Sequence, residues 1–241
     1  NKHGRAYIYQ WNSTTNQWDK TVTLTGPNAS DRFGFSLDLN EDATHLVVGG
    51  HIGSVVRVYN ITTSSYIGQT INGDNGSNFG RSVSINKEGT VIAVGANGHD
   101  TPNSNNGLAR AYLIVNNVWT QLGSDITGPT SNDAMGLSIN LNKTGSILGT
   151  MSVENTSGEI RVYQYSKLDA NGIPETGGSW SQKGSNIYGS HPGGSFGRGF
   201  SMNEDGTILC IGDYNYDVNG TSAGYGHGLT RVYEWRQFTQ N

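Results

Sequence analysis

The chain has 241 residues, 14% of them charged, and a formal net charge of −4. So little basic character is not typical of a protein that binds nucleic acid. No apolar run approaches the ~18 residues of a membrane-spanning helix, so we expect no direct membrane insertion. The single cysteine, Cys210, cannot form an internal disulfide, and the fold must therefore depend on packing.

Predicted strands follow one another along the chain in a repeated order. Residues 4–9 and 18–26 predict two strands, and a hairpin at 33–49 precedes two more at 53–59 and 66–73. The same order of hairpin, third strand and fourth strand then returns three times, the last time without a clear fourth strand: 79–95, 107–112 and 119–128; 135–151, 158–163 and 180–189; 196–212 and 228–233.

The hairpins have strict spacing. In each hairpin an Asn lies seven residues after the opening Phe or Met, and the second strand ends nine residues after that Asn. In the copy at 79–95, the alternation of Ser82–Ile85 predicts a strand, Asn86–Gly89 a turn, and the apolar run of Thr90–Val94 a buried strand. Spacing this regular predicts one hairpin geometry used four times.

Four antiparallel strands that recur every 46 to 61 residues predict the blades of an all-β β-propeller. We expect one propeller segment over 1–241, in which 1–30 is a partial blade and 195–241 a mostly complete one. The complete blades are predicted at 31–77, 78–133 and 134–194. Because the first unit holds only a third and a fourth strand, we expect the chain to be a segment of a longer one, or its ring to close with other material.

The motifs resemble a known repeat. Phe-Gly-x-Ser opens the hairpins at 33–49 and 79–95, and Val94-Gly95-Ala96 closes the second of them. With Trp119-Thr-Gln121-Leu-Gly123 before the next hairpin, these motifs resemble the FG-GAP repeat of integrin-α-type propellers. They also resemble FG-GAP-like repeats of large surface or secreted proteins of aquatic microbes and algae. The resemblance implies an extracellular or cell-surface location.

The resemblance also raises the question of calcium, which integrin-type repeats bind in a longer, carboxylate-rich hairpin loop. The turns here are short and poor in carboxylates, with Asn40–Ala43 and Asn86–Gly89 as examples. We therefore expect no cofactor at the turns. A second candidate metal site has oxygen side chains at alternate positions, Asp213, Asn215 and Asp217, with a plain polar loop as the favoured alternative.

The loop 213–227 is the strongest candidate for binding. It carries aromatic side chains among glycines, and such residues on adaptable loops over a rigid scaffold are typical of binding surfaces. The alternative is that these side chains pack onto the blade. The candidate ligand-binding residues are Tyr214, Tyr216, Tyr225 and His227.

Two further sets of residues recur along the chain. Seven Asn-x-Ser/Thr sequons are candidate N-glycosylation sites, although the composition gives about five by chance: Asn12, Asn28, Asn60, Asn75, Asn142, Asn155 and Asn219. Four arginines recur two residues before a tyrosine, which favours a structural role over an anion-binding ring: Arg57, Arg110, Arg161 and Arg231. Cys210 shares its position in the repeat with Val47, Ala93 and Gly149, which predicts a buried, inert thiol.

These patterns predict a non-enzymatic extracellular module for adhesion to, or recognition of, a protein or glycan at the surface. The first alternative is a structural subunit of a surface filament, sheath or viral fibre, which would self-assemble. The second is a propeller-based polysaccharide-degrading enzyme, disfavoured because no nucleophile–base set or carboxylate pair recurs outside the framework positions.

Overall fold

The structure, a computed structural model, describes residues 3–153, 157–190, 195–216 and 227–236. These residues form five antiparallel sheets in chain order. The first sheet contains β1 (Arg5–Asn12) and β2 (Gln17–Thr25). The second contains β3 (Ser36–Leu39), β4 (His45–Gly50), β5 (Val55–Asn60) and β6 (Ser65–Asn72).

The third and fourth sheets repeat this order. The third contains β7 (Ser82–Ile85), β8 (Val91–Ala96), β9 (Leu108–Val115) and β10 (Val118–Thr127). The fourth contains β11 (Ser138–Leu141), β12 (Ile147–Ser152), β13 (Glu159–Tyr165), β14 (Trp180–Gln182) and β15 (Ile187–Tyr188). The fifth contains β16 (Phe200–Met202), β17 (Ile208–Asp213) and β18 (Leu229–Glu234).

The chain is thus an all-β protein with the fold of a β-propeller, and each sheet is a blade. The hydrophobic core lies between the blades rather than inside one sheet, since each pair of neighbours buries its own cluster. The opening Phe or Met of every hairpin is almost fully buried in these clusters: Phe33, Phe79, Met135 and Phe196. The described part of the chain contains no helix that could cross a membrane.

The fourth strand predicted at 180–189 is divided in the structure. β14 and β15 both pair with β13, but they are separated by residues 183–186. Gly184 in this gap has a φ of +78°, which takes the backbone out of the extended conformation. The third blade has the milder form of the same irregularity, a shift of register in β10 between Leu122 and Ile126.

The Phe-Gly-x-Ser motif joins one blade to the next. In the second blade, the Ser36 hydroxyl donates to the carbonyl oxygen of Gly80 in the third blade at 2.8 Å, and Ser82 repeats this contact with Gly136. Gly49 lies so close to the same carbonyl that a Cβ there would be 2.4 Å from the Gly80 oxygen. The glycines at the ends of these two hairpins, Gly49 and Gly95, are therefore required by the close approach of the neighbouring backbone.

The turn asparagines act within their own hairpin and across to the next. The Asn86 Oδ1 accepts the backbone N–H groups of Thr90 and Val91, both at 2.8 Å, and its Nδ2 donates to the Thr144 carbonyl oxygen of the next turn at 3.3 Å. Asn40 does the same, with Nδ2 donating to the Lys87 carbonyl at 2.9 Å. These side chains replace the backbone bonds that a tight turn leaves unmade.

Candidate functional site

One candidate metal ligand and two candidate ligand-binding residues lie together at the last blade. Asp213, Tyr214 and His227 line a pocket of about 530 Å³, with Gly199 and Leu229 among its other lining residues. The Tyr214 and His227 side chains are exposed, which suits a surface that meets a ligand. Tyr216 is half-buried nearby, and its carbonyl accepts the Gly228 N–H at 3.2 Å. Tyr225 lies outside the described residues, and the ligand-binding assignment stays a prediction.

The predicted metal ligands Asp213 and Asn215 have other partners. The buried Asp213 carboxylate accepts the backbone N–H of Ser195 at 3.0 Å, and Asn215 Nδ2 donates to the Ser195 hydroxyl at 3.1 Å. Both side chains hold the segment that enters the last blade. Asp217 lies outside the described residues. Within the described ranges, no group of three or more His, Cys, Asp or Glu side chains is placed to hold a metal ion.

The candidate glycosylation sites differ in exposure. Asn28 and Asn75 are exposed, and Asn12 and Asn60 are half-buried. Asn142 is a buried turn residue, and its Nδ2 donates to the Thr144 hydroxyl at 3.2 Å. Asn155 and Asn219 lie outside the described residues. Glycosylation at these sites stays a prediction. Because Asn142 is buried, a glycosylating enzyme would reach its side chain only before the hairpin folds.

The recurring arginines are each engaged in a contact with their own blade or with the loop before it. The contacts are a stack over the Tyr66 ring for Arg57, a hydrogen bond to Asp125 for Arg110, an ion pair with Glu159 for Arg161 and a hydrogen bond to Ser190 for Arg231. Hydrogen bonding to Asp125 raises the pKa of Arg110. These contacts give the arginines a structural role in their blades.

The fourth blade contains a buried polar cluster that the sequence pattern does not indicate. Glu159 is completely buried and forms an ion pair with Arg161, which is also buried. Ser152 donates its hydroxyl to one Glu159 oxygen at 2.8 Å, and Asn186 donates to the other at 3.0 Å. Glu159 occupies the position of the repeat that Leu108 occupies in the third blade. Only an alignment of the repeat copies shows this change from an apolar to a charged residue.

The hairpin turns meet at one end of the propeller and form a second polar pocket, of about 190 Å³. Its charged side chains are paired across blades, with Lys87 at 3.0 Å from Glu41 and Lys143 at 2.7 Å from Glu204. The hydrogen bond to Glu204 raises the pKa of Lys143. In each pair the opposite charges compensate, and the pairs connect the second blade to the third and the fourth blade to the fifth at the turns.

The outward face of the first blade is rich in exposed aromatic side chains. Tyr9 is 52% exposed, whereas Tyr112 at the same position of the third blade is 7% exposed. Tyr7, Trp11 and Trp18 are also exposed, and the rings of Trp11 and Trp18 meet edge to face at 5.5 Å. β1 has β2 on one edge and no strand of the described residues on the other. This edge and face are called the leading surface below.

Next to that edge, two leucines of β3 project toward the place of the first blade's inner strands. Leu37 and Leu39 are half exposed, whereas Ile139 and Leu141 at the same positions of the fourth blade are buried against the third blade. Ser36 and the carboxylate of Asp38 point the other way and bond the third blade. The two leucines therefore belong to the leading surface.

The last blade has an open face as well, called the trailing surface, made of Ile208, Cys210 and Val232. Val232 is 68% exposed, whereas Ala111 at its position in the third blade is 1% exposed. The prediction of a buried Cys210 thiol is wrong, because Cys210 is exposed. The same position is buried in the other blades because a following blade covers it, and no blade in the described part of the chain covers β17.

No family model and no curated protein matches this chain. Several solved structures do. A candidate 6-phosphogluconolactonase from Bacteroides uniformis has a TM-score of 0.57 and 12% identity, over 94% of this chain and 67% of that one. Another from Bacteroides fragilis has a TM-score of 0.56 and 12% identity, over 95% and 67%. A functionally unknown protein from Desulfotomaculum acetoxidans has a TM-score of 0.59 and 12% identity, over 94% and 63%.

These comparisons correct one prediction. The expectation of an adhesion or recognition module is wrong, because the similar structures include candidate 6-phosphogluconolactonases and give no support to adhesion. The expectation that the chain is not an enzyme stays a prediction. They give no support to the filament subunit or the polysaccharide-degrading enzyme either. At 12% identity they show the fold alone. The chain spans about half to two thirds of the length of the first solved chains that it matches.

Proposed function

We propose that this chain is a scaffold of FG-GAP-like blades that works as part of a larger propeller, in which further blades of the same repeat cover its leading and trailing surfaces. The partner in this proposal is a β-sheet of the repeat's own kind. An extracellular or cell-surface location, implied by the resemblance of the repeat, remains part of the proposal.

The observation that carries the proposal is the contrast between equivalent positions. Side chains that are buried between the second, third and fourth blades are exposed on the first and the last blade. The exposed side chains on both surfaces are apolar, and burying a large apolar side chain stabilises a protein by roughly 1.5–3 kcal/mol. Contiguous apolar patches of this kind mark an interaction surface.

The open edge of β1 supports the same conclusion. In the second and third blades, the strand equivalent to β1 is paired on both sides: β5 lies between β4 and β6, and β9 between β8 and β10. A free strand edge presents unpaired N–H and C=O groups that accept another strand. A hairpin added on this edge would complete the ladder and cover Leu37 and Leu39 at the same time.

A fusion tests the proposal. A copy of residues 31–106 is joined to the N-terminal side of residues 4–241, so that the added segment supplies one full blade and a hairpin for the first blade. Gly4 then takes the position that Gly107 holds after residue 106 in the native chain. We expect one cooperative unfolding transition with a larger denaturant m-value than that of the parent, because more surface is buried.

Hydrogen exchange gives the direct readout. The β1 amides that point away from β2 should exchange more slowly in the fusion than in the parent, because a hairpin now pairs with them. Amides of β9, which are paired in both proteins, are the internal control. If the added segment unfolds separately and the β1 amides exchange as in the parent, the scaffold proposal is wrong.

A further inference from the structure

A contact between tryptophan and glycine joins the outer strands of successive blades. Trp119, in the third blade, lies over Gly68 of the second, and a Cβ on Gly68 would be 2.7 Å from Trp119 Cδ1. The indole N–H donates to the carbonyl oxygen of Ile67 at 3.0 Å. Gln69 exchanges two hydrogen bonds of 2.9 Å with the Trp119 backbone. Gly68 has a φ of +64°, which favours glycine as well as leaving room for the ring.

The next pair of blades repeats this contact. Trp180 lies over Gly123, where an added Cβ would be 3.0 Å from Trp180 Cδ1, and its indole N–H donates to the Leu122 carbonyl at 2.9 Å. Gly123 has a φ of +67°. The ring thus packs on a left-handed glycine of the preceding outer strand, and the indole N–H binds the carbonyl of the residue before that glycine. Two independent copies define one geometry.

Trp18 holds the same position in the first blade. It pairs with Trp11 across β1 and β2, as Trp119 pairs with Ile114 across β9 and β10. Its ring is on the leading surface and is 65% exposed, whereas Trp119 is 3% exposed. The first blade therefore presents the tryptophan half of the contact toward the side where the preceding blade would lie.

We propose that Trp18 docks on the outer strand of a preceding blade, over a glycine in the left-handed conformation, and donates its indole N–H to the carbonyl oxygen of the residue before that glycine. The inference rests on the proposed function and specifies the partner's chemistry: an outer strand with a Gly-Gln or Gln-x-Gly bulge. In this chain such glycines follow Ile67, Leu122 and Lys183.

A second copy of this chain does not fit this role. Among the described residues, the bulge glycines are already covered: Gly68 by Trp119, Gly123 by Trp180, and Gly184 by Trp235. The occupant is thus a blade other than those that the described residues form. Its outer strand must carry a further bulge glycine.

The fusion also tests this contact, because the added segment brings its own Gly68 within reach of Trp18. Exchange of the Trp18 indole proton is measured by NMR, with Trp18→Phe used to assign the signal. We expect this exchange to be about 100-fold slower in the fusion than in the parent. Gly68→Ala in the added segment alone should return the rate to that of the parent, while the original Gly68 keeps Trp119 in place.

The two readouts separate this inference from the proposed function. If the β1 amides are protected in the fusion and the Trp18 indole exchanges as in the parent, the scaffold holds and the inference is wrong. Trp18→Phe provides a second test. It should lower the denaturation midpoint of the fusion and leave the midpoint of the parent unchanged. An equal effect on both proteins would overturn the inference. The last measurement is the oligomeric state of the parent at high concentration, determined by light scattering. A dimer in which the Trp18 indole proton is protected would overturn the inference, because a second copy of the chain would then occupy the surface.

Discussion

The contact between Trp119 and Gly68 predicts that one methyl group added at Gly68 will greatly lower the stability of the chain. In Gly68→Ala, the new Cβ would be 2.7 Å from Trp119 Cδ1 and 2.9 Å from its Nε1, so the ring must move. The backbone contributes a strain of about 1 kcal/mol, because an L-residue at a φ of +64° is disfavoured. Displacing a packed ring costs about 1–2 kcal/mol, and losing the indole hydrogen bond about 1 kcal/mol.

Together these effects should lower the free energy of unfolding by about 3–4 kcal/mol, measured by urea or guanidinium denaturation. Gly177→Ala is the matched control. Gly177 has a φ of +86°, and its added Cβ would meet no heavy atom within 4 Å, so this variant reports the backbone strain alone. We expect a loss of about 1 kcal/mol for the control. Equal losses in the two variants would refute the steric and hydrogen-bonding part of the reasoning.

Three further predictions concern buried polar groups. Asn86→Ala should destabilise the chain by about 2–4 kcal/mol in denaturant unfolding, because the buried N–H group of Val91 and the partly buried N–H group of Thr90 lose their acceptor. A loss below about 1 kcal/mol would contradict this role. Burial raises the pKa of the Asp38 carboxyl group above its ordinary value. At a pH between the ordinary and the raised pKa, Asp38 is protonated in the folded chain and ionised in the unfolded chain. The free energy of unfolding therefore falls as the pH rises through this range. Asp38→Asn should remove this fall, and identical pH–stability curves would argue against it. Glu159→Gln alone should cost about 3–5 kcal/mol, because it removes the charge of the carboxylate that pairs with the buried Arg161 guanidinium and leaves the buried Asp133 carboxylate at the longer distance of 4.0 Å. Adding Arg161→Met should restore much of the loss, and a double variant no better than the single one would contradict the pairing.

The repeat spacing predicts most of the fold. The hairpins and third strands lie where the motif copies indicate, because the turn asparagine and the close-approach glycines are fixed by local backbone geometry. The fourth strands are harder to place. Their glycines break the ladder at different points, and β14 and β15 are separate for this reason.

The candidate site is harder to predict from the sequence than the fold is. The exposure of Cys210 does not follow from its position in the repeat, since burial there depends on the blade that follows and not on the residue itself. The role of Trp119 and Trp180 is also hidden: the Trp-x-Gln-x-Gly motif is visible in the sequence, but the partner glycine of each ring lies in another blade, 51 and 57 positions earlier. Such contacts are long-range, and spacing within one copy does not report them.

Three of the hydrogen bonds that join the blades share one feature: the acceptor is a main-chain oxygen. Ser36 binds that of Gly80, Asn40 that of Lys87, and the Trp119 indole that of Ile67. Every amino acid carries such an oxygen, so the accepting atom of these three hydrogen bonds is present whatever the side chain of its residue. At these hydrogen bonds, gene duplication can therefore add or reorder units in a lineage without a compensating substitution of an acceptor side chain, which the ion pairs between the turns would still demand.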